Sequence, residues 1–268
     1  MRGVMLGVAA VLLATGPSAG QVRWDVDENA RWCDRAWGGR EDDRHCELRE
    51  AVLSVSGVLE VDGGQNGGVE VVGWDRSDVR VVAKVWANAR SLERARDIAR
   101  AVTLSTDRGR LASYGPSTGR GEGWGVSWEV RVPRSMDLEL DTHNGGIRVE
   151  DVSGSIRFDA LNGGVSLIAV EGDVRGRTRN GGLHVELAGS TWHGEGLDVE
   201  TTNGGVTIEV PSGYSAELET GTENGGIDLD FPVTVRGRIG RRLNTTLGDG
   251  GPLVRAMTTN GGVRVVRR

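Results

Sequence analysis

Seven times along this chain an aliphatic–polar–aliphatic run follows an Asn-Gly-Gly triplet. The triplets start at Asn66, Asn144, Asn162, Asn180, Asn203, Asn224 and Asn260. The first aliphatic is Val69, Ile147, Val165, Leu183, Val206, Ile227 or Val263, and the polar residue after it is Glu70, Arg148, Ser166, His184, Thr207, Asp228 or Arg264. The next position is aliphatic again, from Val71 to Val265. A period of two after a turn signal predicts a short strand with one buried face. Two residues before the Asn a threonine recurs, at Thr142, Thr178, Thr201, Thr222 and Thr258, with Ala160 as an exception. Asn tolerates the left-handed backbone region and Gly enters it without steric penalty, so the triplets read as tight structural corners.

From Asn144 onward the triplets recur at intervals of 18, 18, 23, 21 and 36 residues, and the last interval holds a degenerate copy, Asp249-Gly250-Gly251. A period near this length marks a repeat architecture. Two arrangements fit. In an antiparallel meander, Asn-Gly is a hairpin turn; in a solenoid it is a corner, and each unit is a coil stacked on the last. Alternation does not separate them, because Phe158 and Ala160 would face Leu167 and Val165 across a hairpin too. The constant order of each unit favours the coil. So does the retention of Asn where Asp would serve a hairpin equally well. In a stack, each Asn amide donates to one rung and accepts from the other.

One window breaks the β pattern. Leu92, Ala95, Ile98, Ala99 and Val102 recur at helical spacing within Ser91–Val102, opposite a charged face, which predicts one inserted helix covering a flank of the β structure. Trp124, Val126, Trp128, Val130 and Val132 then share a strand face, and both tryptophans are expected in the core. The chain divides into a targeting segment over residues 1–20, an irregular segment over 21–50 and a β domain over 51–268.

Composition adds the setting. Arg2, an apolar run from Val4 to Thr15 and small residues from Gly16 to Gly20 read as a cleaved export signal. No second apolar run reaches spanning length, so no transmembrane span is expected in the mature chain, which would be periplasmic, cell-surface or secreted. Cys33 and Cys46 suit a disulfide in an exported protein, and a metal site using His45 finds no further ligands nearby. A net charge of −6 with dispersed basic residues argues against nucleic acid. No cofactor is implied.

Chemistry is sparse. Gly115-Pro116-Ser117-Thr118-Gly119 has the spacing of a serine-hydrolase elbow, but a glycine-rich loop follows where a helix is required. His45, His143, His184 and His193 form no ligand pair at short spacing. Asp141 and Asp159 would stack if coils are in register, with Glu171 and Asp173 in the next unit. Such carboxylates are what a sugar-cleaving enzyme needs, whereas Arg177 at the next stack position suits an ion pair equally well. The enzyme alternative is a polysaccharide lyase or glycoside hydrolase.

The repeated Thr-x-Asn-Gly-Gly-aliphatic-x-aliphatic pattern resembles the DUF4097 family of adhesin-like proteins. The likeness extends to Val71-Val72-Gly73-Trp74-Asp75-Arg76, Trp128-Glu129-Val130 and Pro211 to Thr220, and spans roughly Cys46 to Val265. It implies an all-β, single-stranded right-handed β-helix or β-solenoid in an exported or envelope protein, and no particular activity. The expectation is a non-enzymatic binding or scaffold module for an envelope protein or glycan. Its contact surface would be the polar stripe Arg148, Ser166, His184, Thr207, Asp228 and Arg264. At ~4.8 Å per rung this stripe makes a ridge on the order of 24 Å long.

The disulfide is testable on the purified mature chain. Neither thiol is expected to alkylate until reductant is added, read by intact mass; alkylation of both without reduction rules the bridge out.

Overall fold

The computed structural model describes residues 22–28, 43–230 and 240–268. The targeting segment and Cys33 lie outside the described residues, and Cys46 lies within them. The fold is all-β, with two large sheets and one α-helix among the described residues.

Each repeat contributes one strand to each sheet. Before the corners lie β3 (Val58–Asp62), β9 (Asp137–Thr142), β11 (Ser153–Asn162), β13 (Glu171–Asn180), β15 (Gly196–Asn203), β17 (Ala216–Asn224) and β20 (Leu253–Asn260). After them come β4 (Val69–Trp74), β10 (Ile147–Glu150), β12 (Val165–Ile168), β14 (Leu183–Glu186), β16 (Val206–Val210), β18 (Ile227–Leu229) and β21 (Val263–Arg267). The two strands flanking a triplet belong to different sheets, so the triplet is a corner and not a hairpin. Neighbouring repeats pair in parallel and in register: Asn162, Asn180, Asn203, Asn260 and Asn224 align in turn. A one-residue slip would turn every aliphatic outward, so the alternation itself pins this register. Leu138, Ile156, Val174, Leu197 and Val254 from one sheet and Val149, Leu167, Val185, Ile208 and Val265 from the other are almost fully buried between them.

The stacking order departs from chain order. β20 pairs with β15 on one side and β17 on the other, and β21 likewise lies between β16 and β18. The final repeat is therefore inserted between the two preceding ones instead of stacking on the last. The outer edge of β17 is occupied by β19 (Arg242–Leu247), which runs antiparallel to it. Asp249-Gly250-Gly251 is accordingly no coil corner. It reverses the chain between β19 and β20, with positive φ at Gly248, Gly250 and Gly251.

The other end is mixed. β1 (Asp25–Asp27), β2 (Arg44–Leu53), β5 (Val79–Asn88) and β8 (Gly123–Pro133) pair antiparallel in that order, and β8 then joins β4 in parallel. β6 (Thr103–Ser105) and β7 (Arg110–Tyr114) extend the second sheet beside β3. β2 starts inside the segment expected to be irregular. Its polar sequence hid it, because it is held through charge: Glu50 accepts from Nε and Nη2 of Arg80, both at 2.6 Å. α1 (Leu92–Arg100) matches the predicted helix, with Ser91 as N-cap. Arg49 on β2 donates to Ala99 O and Val102 O at its C-terminal end. Arg49 also binds the buried Glu47, as does His45 Nε2 at 3.2 Å. These hydrogen bonds, His45's first, hold the Glu47 carboxyl below its usual range.

The corners differ from expectation in their physics. None of the seven asparagines has positive φ, and neither has any glycine of the triplets. What demands glycine is contact. A Cβ on Gly145, Gly163, Gly181, Gly204, Gly225 or Gly261 would lie 2.0–2.2 Å from a glycine carbonyl oxygen of the adjoining repeat. Left-handed backbone sits instead in the opposite turns, at Asp151 (φ 57°) and Ala169 (φ 49°).

Gly181→Ala should therefore destabilise by about 1–3 kcal/mol through overpacking. Gly226→Ala, at a site with no atom within 4 Å, should change stability by less than about 0.5 kcal/mol. Equal midpoints for the two variants in equilibrium denaturation would contradict this account.

Candidate functional site

In-register corners bring identical side chains to rung spacing, and the asparagines join into one ladder. Nδ2 of Asn144 donates to Oδ1 of Asn66 at 3.3 Å, Asn162 to Asn144 at 2.9 Å, Asn180 to Asn162 at 2.8 Å and Asn203 to Asn180 at 2.9 Å. Asn260 then donates to Asn203 at 2.9 Å, and Asn224 to Asn260 at 2.8 Å. Asn66 closes the first end by donating to Trp124 O at 3.4 Å. Behind the ladder, the buried hydroxyls of Thr178, Thr201, Thr258 and Thr222 donate to glycine carbonyls of adjoining corners at 2.7–2.8 Å. Thr142 serves Gly145 O within its own corner, the acceptor that Ala160 cannot reach. These groups are engaged with one another, which makes the ladder a frame for a site rather than a site.

The polar stripe lies on the outer face of the eleven-stranded sheet. Its order is Glu70, Arg148, Ser166, His184, Thr207, Arg264, Asp228, so Arg264 comes before Asp228. Its charges are largely neutralised locally. Arg148 reaches Glu150 at 2.6 Å and Glu70 at 3.7 Å, His184 lies 3.8 Å from Glu209, and Arg264 lies 4.0 Å from Asp228.

A more concave surface lies elsewhere. The loop between β7 and β8 leans over the corner side of β3, β9 and β11 and encloses a cleft of about 870 Å³. Asp62, Asp141 and Asp159 form one row beneath it, adjacent in register. Gln65, Asn66, His143, Leu161 and Arg179 add the corner side, and Trp124 with Glu122 adds the wall. A second cleft of about 470 Å³ shares Asp141 and Asp159 and continues across the sheet to Asp198, Glu200 and Arg255. The loop is anchored at both ends. Trp124 Nε1 donates to Pro116 O, and a Cβ on Gly115 would meet the Trp124 ring at 2.4 Å. Arg94 of α1 grips both oxygens of Glu122, at 3.0 and 3.1 Å.

Charge within the row is uneven. Asp62 is paired with Arg110 at 3.0 Å and Asp159 with Arg177 at 2.8 Å, the ion pair anticipated from stack position. Asp141 lies between them with no cationic partner among the described residues. Burial first, then the charges of Asp159, Asp62, Glu60 and Glu139, push its carboxyl above the usual aspartate range. Asp173 in the next repeat is taken up by Arg157 and Arg175. Among the described residues Arg179 makes no ion pair. A cleft with an indole wall and a row of acceptors suits a polar ligand rich in hydroxyls.

This cleft is not legible in the residue pattern. Trp128 is buried as expected, with Nε1 on Asp62 O, whereas Trp124 is half-exposed on the cleft wall. The available signal was the run of alternating glycines from Gly119 to Gly125, the mark of an irregular loop leading into β8. Ser117 sits exposed in the same loop, and a strand follows it, so no elbow forms. Among the described residues no cluster of three or more His, Cys, Asp or Glu is arranged to hold a metal ion, and no helix is long and apolar enough to cross a membrane.

The chain matches no family profile and no curated protein. Among solved structures it is similar to a candidate cell adhesion protein from Clostridium sporogenes, at 8% identity and a TM-score of 0.42 over 82% of this chain and 100% of that one. A candidate adhesin from Bacteroides fragilis is similar at 9% identity and a TM-score of 0.29, over 82% and 97% of the two chains. A candidate lipid binding protein from Parabacteroides distasonis is similar at 8% identity and a TM-score of 0.29, over 81% and 96%. Likeness at this level carries no inference about this chain.

The raised Asp141 carboxyl has a consequence for stability. Because its folded-state pKa lies above the unfolded one, the folded state binds that proton more tightly. Stability is lost as pH rises through the window between the two values. Asp141→Asn removes this loss. Its melting midpoint should exceed the parent's at neutral pH, and the difference should vanish below the ordinary aspartate range. A difference independent of pH would refute the assignment.

Proposed function

We propose that this chain is an exported, non-enzymatic, adhesin-like binding module, built as a right-handed β-solenoid of the DUF4097 kind, and that it holds a glycan in the cleft beside Trp124. The observation that carries this reading is the cleft itself: about 870 Å³, with an indole on one wall and the Asp62–Asp141–Asp159 row beneath. In-register parallel repeats and corner asparagines support the solenoid assignment. Carboxylates accept hydrogen bonds from sugar hydroxyls, and an indole covers the apolar face of a sugar ring. The same row argues against hydrolysis. A glycosidase needs two carboxyl groups available to the substrate, and here Asp62 and Asp159 are already engaged by arginines. The flatter stripe through Arg148 and His184 is less suited, because its charges are spent on one another.

The mature chain should bind one or more members of a polysaccharide and envelope-glycan panel without releasing products. Trp124→Ala should weaken binding at least tenfold, about 1.4 kcal/mol. Arg148→Glu combined with Arg264→Glu and His184→Ala should leave it unchanged. Loss of binding in the stripe variant alone would move the contact surface there. New reducing ends or unsaturated products would replace this reading with the lyase or hydrolase.

A further inference from the structure

The asparagine ladder has two unlike ends, and the difference is chemical. Asn followed by Gly is the most readily deamidated pair in proteins. The backbone nitrogen of the glycine attacks Cγ of the asparagine, a C–N bond forms, and the Cγ–Nδ2 bond breaks with loss of ammonia. Water then opens the resulting succinimide to aspartate or isoaspartate. The balance is amide plus water to acid plus ammonia, with no other reactant. The reaction needs a glycine nitrogen that can move and an amide that is not held.

Inside the ladder every amide is held on both sides, and at three corners the glycine nitrogen is held as well. The Oδ1 atoms of Asn66, Asn144, Asn162, Asn180, Asn203 and Asn260 each accept from the next amide. Gly181, Gly204 and Gly261 donate their backbone N–H to Asn203, Asn260 and Asn224 carbonyls at 3.0–3.1 Å. At the first end Gly67 is buried, with Val126 O where a Cβ would stand.

At the other end both restraints are weaker. Asn224 donates to Asn260, but among the described residues nothing donates to its Oδ1. The antiparallel cover of β17 by β19 stops at Gly221 and Thr222, and among the described residues β18 pairs only with β21. Glu223, Asn224, Gly225 and Gly226 are all exposed. Gly225 is exposed, stacked on Gly261 on one side alone, whereas the first glycines of the other triplets are buried or half-buried. We propose that Asn224 is a spontaneous deamidation site, and that the ladder protects the other six Asn-Gly pairs. Conversion would place a carboxylate on the outermost rung and remove the donor that joins it to Asn260.

The test is peptide mapping of the folded full chain during incubation in mildly alkaline buffer, with isoaspartate detection. A parallel sample is kept in denaturant. Asn224 should convert on the order of tenfold faster than any other rung in the folded chain, because internal rungs react only after local opening. In denaturant the seven should react at similar rates. Two results would overturn the proposal: an internal rung converting as fast as Asn224 in the folded chain, or Asn224 persisting folded over times that convert it in denaturant.

Discussion

The whole molecule rests on how closely one corner lies upon the next. With glycine carbonyl oxygens 2.0–2.2 Å from where a Cβ would stand, the repeats approach at peptide-to-peptide distance. That approach brings the asparagine amides within hydrogen-bonding range, and it sets the register of both sheets at once. The inward aliphatics, the threonine hydroxyls and the outward charges then fall into rows as a consequence. A single geometric rule at the corner is repeated into a core, a polar seam and two patterned faces.

The rows explain why charge is informative here. On the outer face of the ten-stranded sheet, opposite charges on adjoining rungs neutralise each other: Asp159 with Arg177, and Asp198 with Arg255. Such cross-strand pairs individually contribute roughly 0.2–1 kcal/mol. They also penalise a shifted stack, in which like charges would meet. The acidic end of the sheet is where this pattern fails. Asp62, Asp141 and Asp159 stack with like sign, and only the two outer members find arginines. The cleft coincides with that failure, where packing logic alone would have placed a cation.

Much of this was legible in the residues. The corners, the two-residue period, the helix from Leu92, the amide ladder and the Asp159–Arg177 pair each follow from local pattern combined with stacking. The need for glycine was legible, but its cause was not. Backbone freedom and a neighbour's carbonyl leave the same letter in the sequence, and only the stacked partner separates them. β2 was missed because ion pairs and a buried Glu47 hold it, without an apolar alternation. The cleft was missed because Trp124 and Trp128 share one strand face, while a loop far from Asp141 in sequence decides which indole stays outside. The position of β20 could not be read either, since its alternation fits any slot in the stack.

That slot has a consequence for how the molecule is assembled. A repeat array ordinarily grows from one end, each unit docking on its predecessor as it becomes available. Here the strand pair of residues 253–267 separates units that precede it in the chain, so β17 and β18 cannot take their final neighbours until it arrives. Growth in order of synthesis therefore stalls after β16. The remaining two repeats and the edge strand β19 must close together, through contacts of long sequence separation that form slowly. The backbone edges of β15 and β16 stay unpaired for that interval, which places the exposure to misassembly in the C-terminal third of an otherwise sequential fold.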